Sequence, residues 1–70
     1  MESDGQLELY ETVAARLKEA HSRVRTLDAP ESERTALTRQ LLVITAAAKH
    51  DLAAAARRLE RLIAELDARS

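Results

Sequence analysis

Two histidines, His21 and His50, are the side chains of this 70-residue sequence best suited to bind a metal ion or to exchange a proton near neutral pH. A metal site on one helix needs a second ligand three or four positions away, because only those side chains point the same way. At these offsets His21 has leucine, lysine, valine and arginine, and His50 has only alanines. We therefore predict no metal site and no bound cofactor.

Nucleophilic catalysis is also not supported by the residues present. The chain has no cysteine, which excludes thiol chemistry, disulfides and thiolate-bound zinc. Its serines and threonines are not set in a glycine-rich phosphate loop or in a strand-to-helix nucleophile elbow. The sequence therefore predicts a protein that is not an enzyme.

Three arginines, Arg57, Arg58 and Arg61, form the sharpest charged feature. Arg57 and Arg61 are four residues apart and share one face of a helix, where guanidinium groups could bind phosphate or carboxylate groups. Glu60 reduces the charge of this cluster, and the absence of Trp and Phe removes most stacking partners for bases. The formal net charge of −1 also disfavours a basic nucleic-acid-binding body. Binding of an anion or nucleic acid through these arginines is therefore the alternative function.

Composition predicts an all-α fold. The chain is 46% hydrophobic and 33% charged, with one glycine and one proline, whereas β-sheet proteins need frequent turn residues. No apolar run approaches the ~20 residues of a membrane-spanning helix, and the first residues are acidic, unlike a signal peptide. We expect a cytoplasmic protein that makes no membrane contact.

The first predicted helix covers about residues 6–27. A polar arm with Gly5 precedes it, so residues 1–5 are predicted to be disordered, and residues 6–70 to form one helical hairpin domain. Pro30 fixes its own φ and disfavours helical geometry in the residue before it, which places a turn there. The helix is identified by apolar residues spaced alternately three and four apart: Tyr10, Val13, Leu17, Ala20, Val24 and Leu27.

After Pro30 the sequence allows two architectures. Alanine runs on both sides of residues 49–51, with no glycine or proline between them, favour one continuous helix over about residues 30–68. The alternative is a turn at 49–51, with Asp51 as the N-cap of a third helix, which gives a three-helix bundle. The continuous helix is our preferred prediction.

A helix of this length would extend well beyond the first helix and leave its apolar stripe in water. Burial of each Leu or Ile is worth about 1.5–3 kcal/mol, so a second chain would have to cover the stripe. We therefore predict a homodimer, a four-helix bundle built from two antiparallel hairpins. The expected function is a non-catalytic protein–protein interaction module with a regulatory or adaptor role, which binds itself and another protein. The predicted dimer interface consists of Leu41, Ile44, Ala48, Leu52, Ala55, Leu59, Leu62, Ile63 and Leu66.

Overall fold

The computed structural model describes residues 2–69, with side chains described from Gly5 onward. Three helices follow one another: α1 (Glu2–Arg25), α2 (Glu31–Ala48) and α3 (Leu52–Arg69). Each helix packs against both others, and the described part of the chain contains no strand. The all-α prediction is confirmed, and the architecture is the three-helix alternative.

The first turn lies where the proline predicts it. α1 ends at Arg25, and Pro30 stands at the N-cap position of α2 with φ −56° and ψ 150°. The Pro30 carbonyl accepts the first backbone hydrogen bonds of α2, from the amides of Glu33 at 3.0 Å and Arg34 at 3.1 Å. Glu31 and Glu33 occupy the first turn, where the positive end of the helix dipole stabilises carboxylates.

The continuous helix predicted over residues 30–68 is wrong, because the chain turns at Lys49, His50 and Asp51. The Asp51 side chain accepts a hydrogen bond from the Ala54 amide at 3.1 Å, which caps the start of α3. The helix propensities of residues other than proline differ by at most ~1 kcal/mol per residue, so the preference of the alanine runs for a continuous helix is small. Burial of the whole apolar face of α3 within the same chain is worth more, so tertiary packing decides the architecture.

The core lies along the common axis of the three helices. Ala20 of α1 and Ala55 of α3 have no exposed surface, and these small side chains suit close approach of the helices. Leu41, Leu59 and Leu66 are the largest fully buried aliphatic side chains. No polar or charged residue is buried among those described, so this core is purely apolar.

The residues predicted to form the dimer interface lie in this core of a single chain. Seven of them are buried, and Ala48 and Leu52 are partly buried. The stripe that was expected to need a second chain is therefore covered by α1 and α2. A dimer through these residues would require the bundle to open.

Two further predictions concern the first residues of the chain and its relation to a membrane. α1 begins at Glu2, within residues 1–5 that were assigned to a disordered arm. Met1 lies outside the described residues, as do the side chains of residues 2–4, so the arm stays a prediction. Over residues 2–69, none of the helices combines the length and the apolar character needed to cross a membrane.

Candidate docking surface

The side of the bundle where α1 meets α3 carries ion pairs between the two helices. Arg16 of α1 donates two hydrogen bonds to the Glu60 carboxylate of α3, from Nε and Nη2, both at 2.9 Å. Two helical turns further along α1, Arg23 forms an ion pair with Asp67 of α3. Both arginines also approach Glu19 on their own helix, at 3.1 Å and 4.0 Å. The charges on this side are matched across the helices.

Bidentate pairing of Arg16 with Glu60 changes the acidity of both groups. The hydrogen bond from Arg16 lowers the pKa of the Glu60 carboxyl below its ordinary value, and the attraction of the guanidinium charge adds to this effect. The same hydrogen bond raises the pKa of Arg16. Since both groups are open to solvent, the pair positions the side chains more than it stabilises the fold.

The side where α2 meets α3 has a different character. A groove with a volume of about 490 Å³ runs between these helices and is open to solvent. Three apolar side chains and three arginines contribute to its walls, with one glutamate and one glutamine. We call this the α2–α3 groove, and it is lined by Arg39, Gln40, Val43, Ile44, Arg58, Arg61, Leu62 and Glu65.

The arginines of the α2–α3 groove have no carboxylate partner among the described side chains. The side chains of Arg39, Arg58 and Arg61 form no ion pair and no hydrogen bond within residues 5–69. The one described ion pair between α2 and α3 joins Glu33 to Arg69 at 3.4 Å and lies at the Pro30 end. Glu65 is the only acidic residue that lines the groove, so the groove carries an excess of positive charge.

The predicted arginine cluster is divided by the fold. Arg58 and Arg61 line the α2–α3 groove, whereas Arg57 is exposed but does not line it. Sequence reasoning missed Arg39, which comes from α2 and completes the set of three. No local spacing could have linked Arg39 to Arg58, because the turn at residues 49–51 brings their helices side by side.

The outer face of α2 carries two large aliphatic residues in contact with water. Leu42 is 58% exposed and Val43 is 56% exposed, although they are next to each other in the middle of a helix. Val43 lines the α2–α3 groove, and Leu42 lines the neighbouring groove between α1 and α2. Sequence analysis did not single out these two residues, because neither belongs to the spacing of the core positions.

Neither histidine lies in a group of potential metal ligands within the described residues. His21 is half-buried on α1, and His50 is exposed in the turn before α3. Among the described residues, no three His, Asp or Glu side chains are arranged to hold a metal ion. The features that stand out chemically are therefore the α2–α3 groove and the outer face of α2.

Comparisons with protein-family models, with curated proteins and with solved structures find no match to this chain. The chemistry of its own residues is therefore what bears on its function.

Proposed function

We propose that this chain is a non-catalytic protein–protein interaction module, and that the α2–α3 groove is its docking surface. The observation that carries the proposal is the combination of an apolar lining, formed by Val43, Ile44 and Leu62, with three arginines that have no carboxylate partner among the described side chains. Apolar contact provides affinity, and charge around its edge selects the partner and its orientation. A regulatory or adaptor role fits a small module of this kind.

The chemistry of the groove specifies the class of partner. An amphipathic helix docks in a groove through apolar side chains spaced three or four residues apart. Carboxylates on both sides of that apolar stripe would meet Arg39 on α2 and Arg58 and Arg61 on α3. The partner is therefore an acidic amphipathic helix of a protein.

A direct binding experiment tests this proposal. A fluorescently labelled synthetic peptide with leucines three and four residues apart and glutamates elsewhere is titrated with the full chain, and its anisotropy is measured. Binding should be lost in the Val43→Asp variant and weakened at least tenfold by Arg58→Glu. A peptide with lysine in place of glutamate should not bind.

The adjacent residue Arg57 provides a matched control. Arg57→Glu makes the same change in charge as Arg58→Glu but lies outside the groove, so it should leave peptide binding nearly unchanged. Equal loss from both substitutions would mean that net charge, and not the groove, governs binding. Failure of the acidic peptide to bind the unmodified chain would refute the proposed docking surface.

Anion binding is the second candidate, and the convergence of Arg39, Arg58 and Arg61 favours it. A site for phosphate or nucleic acid would depend on these charges alone. Binding of a short DNA duplex or of inorganic phosphate that survives the neutral substitution Val43→Ser and falls steeply between about 50 and 200 mM salt would support it. Absence of phosphate and DNA binding, together with loss of peptide binding in Val43→Ser, favours the protein partner.

A further inference from the structure

The first part of α1 has the chemistry that the α2–α3 groove requires of a partner. Residues 5–15 contain two glutamates and no lysine or arginine. Leu7 is 57% exposed and Tyr10 is 61% exposed, so a stripe of large side chains faces water here. We call this surface the acidic end of α1, and it consists of Leu7, Glu8, Tyr10, Glu11 and Ala14, all of them exposed.

The spacing within the acidic end of α1 is that of a docking helix. Leu7, Tyr10, Glu11 and Ala14 stand at positions i, i+3, i+4 and i+7, so they share one face of α1. Glu8 lies three residues before Glu11 and flanks the stripe. The acidic end is therefore an acidic amphipathic helix that is already folded, so its docking does not require a segment to become ordered first.

This helix has no access to the groove of its own chain. Tyr10 and Ala14 border Thr45, Ala48 and Lys49 on the side where α1 meets α2. The α2–α3 groove lies on the other side of α2. Because α2 separates the two surfaces, contact between them requires a second molecule.

We propose that the acidic end of α1 binds the α2–α3 groove of a second copy of this chain, so that the protein forms a reciprocal homodimer. This inference rests on the proposed function of the groove. Charge complementarity carries it: Glu8 and Glu11 of one copy face Arg39, Arg58 and Arg61 of the other. Leu7 and Tyr10 add their exposed apolar surface to that of Val43.

The arrangement of the two surfaces fits two-fold symmetry. They lie on opposite sides of α2, near the half of the helix that contains Val43 and Thr45. The acidic end of α1 lies beside Thr45 and Lys49, whereas the groove extends from Arg39 to Ile44 along α2. A two-fold axis that lies in front of the outer face of α2 and is inclined to this helix therefore places the acidic end of one copy opposite the groove of the other. Both contacts then form at once, and Leu42 lies near the axis. Two cations oppose this arrangement: Lys49, which borders Tyr10, and the exposed Lys18, which lies one turn beyond Ala14 on the same face of α1.

Sedimentation equilibrium of the full chain over about 10 µM to 1 mM measures the association. At about 50 mM salt the mass should rise from 7.8 kDa toward twice that value, and the dissociation constant should increase at least tenfold at about 500 mM salt. Arg58→Glu should shift the chain to monomer, whereas Arg57→Glu should not. Circular dichroism verifies that each variant is folded.

A charge exchange gives the decisive result. The double variants Arg58→Glu/Arg61→Glu and Glu8→Arg/Glu11→Arg should each be monomeric, because each brings like charges together. An equimolar mixture should form a heterodimer, since both reciprocal contacts then join opposite charges. A mixture that stays monomeric overturns the inference, as does a dimer that none of these substitutions affects.

The outcomes separate this inference from the proposed function. If the synthetic acidic peptide binds the groove while the unmodified chain stays monomeric at 1 mM in low salt, self-association is refuted and the docking surface stands. If the peptide does not bind in the groove and the unmodified chain stays monomeric, both proposals fail. Salt-sensitive dimers that the charge exchange restores support both.

Discussion

The helices α2 and α3 have the same length of 18 residues but distribute their apolar side chains differently. In α3 every large aliphatic residue lies in or against the core, and Glu60 and Asp67 pair with arginines of α1. In α2 three aliphatic residues are buried, whereas Leu42 and Val43 face water. α3 thus uses its apolar surface to fold the chain, and α2 retains apolar surface beyond that need.

The largest expected difference between these helices is in how much a leucine-to-alanine substitution lowers the free energy of unfolding. Leu59 of α3 is 1% exposed, so Leu59→Ala removes buried contacts and leaves a cavity. We expect a loss of about 2–5 kcal/mol in the free energy of unfolding. Leu42→Ala on α2 should change it by no more than about 0.5 kcal/mol.

Urea denaturation followed by circular dichroism measures both values. Similar losses from Leu59→Ala and Leu42→Ala would mean that the outer face of α2 is buried in solution. In that case Leu42 would already belong to an interface of considerable area.

A smaller effect is expected at the helix starts. Asp51 caps α3 through its side chain, whereas the N-cap position of α2 has no side-chain hydrogen bond. Asp51→Ala should therefore lower the free energy of unfolding by about 1 kcal/mol. Asp51→Asn should retain most of this stabilisation, because the amide oxygen of asparagine also accepts a hydrogen bond from the backbone. Asp28→Ala, before α2, should lower the free energy of unfolding less than Asp51→Ala when both are measured by the same urea denaturation.

The smallest effect is expected from the exposed arginines. Arg16 pairs with Glu60, whereas Arg39 has no described carboxylate partner, so Arg16→Ala should destabilise the fold slightly and Arg39→Ala should not. The pKa of Glu60 is lowered in the folded chain, so its contribution is present above its ordinary pKa of about 4.5 and is lost as the pH falls through the folded pKa.

Carboxyl chemical shifts in a pH titration measure this pair. The pKa of Glu60 should rise toward its ordinary value in Arg16→Ala and stay low in Arg39→Ala. An unchanged Glu60 titration in Arg16→Ala would show that the pair is not formed in solution.

Sequence reasoning identified the core more completely than the chain path. The spacing of apolar residues is the same in a continuous helix and in two helices joined by a short turn, so Leu41, Leu59 and Leu66 were recognised as buried in either case. The turn at residues 49–51 was not preferred, because local propensity there favours a helix. Its formation depends on the surface that α3 buries against α1 and α2, which no local pattern contains.

The same turn explains which part of the candidate site was missed. Arg58 and Arg61 were identified from their neighbouring positions in α3. Arg39 and Val43 were not identified, because in one continuous helix they would lie far from Arg58 along the helix axis. Antiparallel packing of α2 and α3 is what joins these residues, so the groove could be found only once the turn was known.

Because the bundle has three antiparallel helices, the start of α1 and the end of α3 lie at opposite ends of it. The first residues of α1 lie at the end of the bundle that contains the 49–51 turn, and Arg69 pairs with Glu33 at the Pro30 end. Groups attached before α1 and after α3 would therefore leave in opposite directions, separated by most of a body 44 Å long. A fluorophore or tag placed after residue 69 would stay clear of the acidic end of α1.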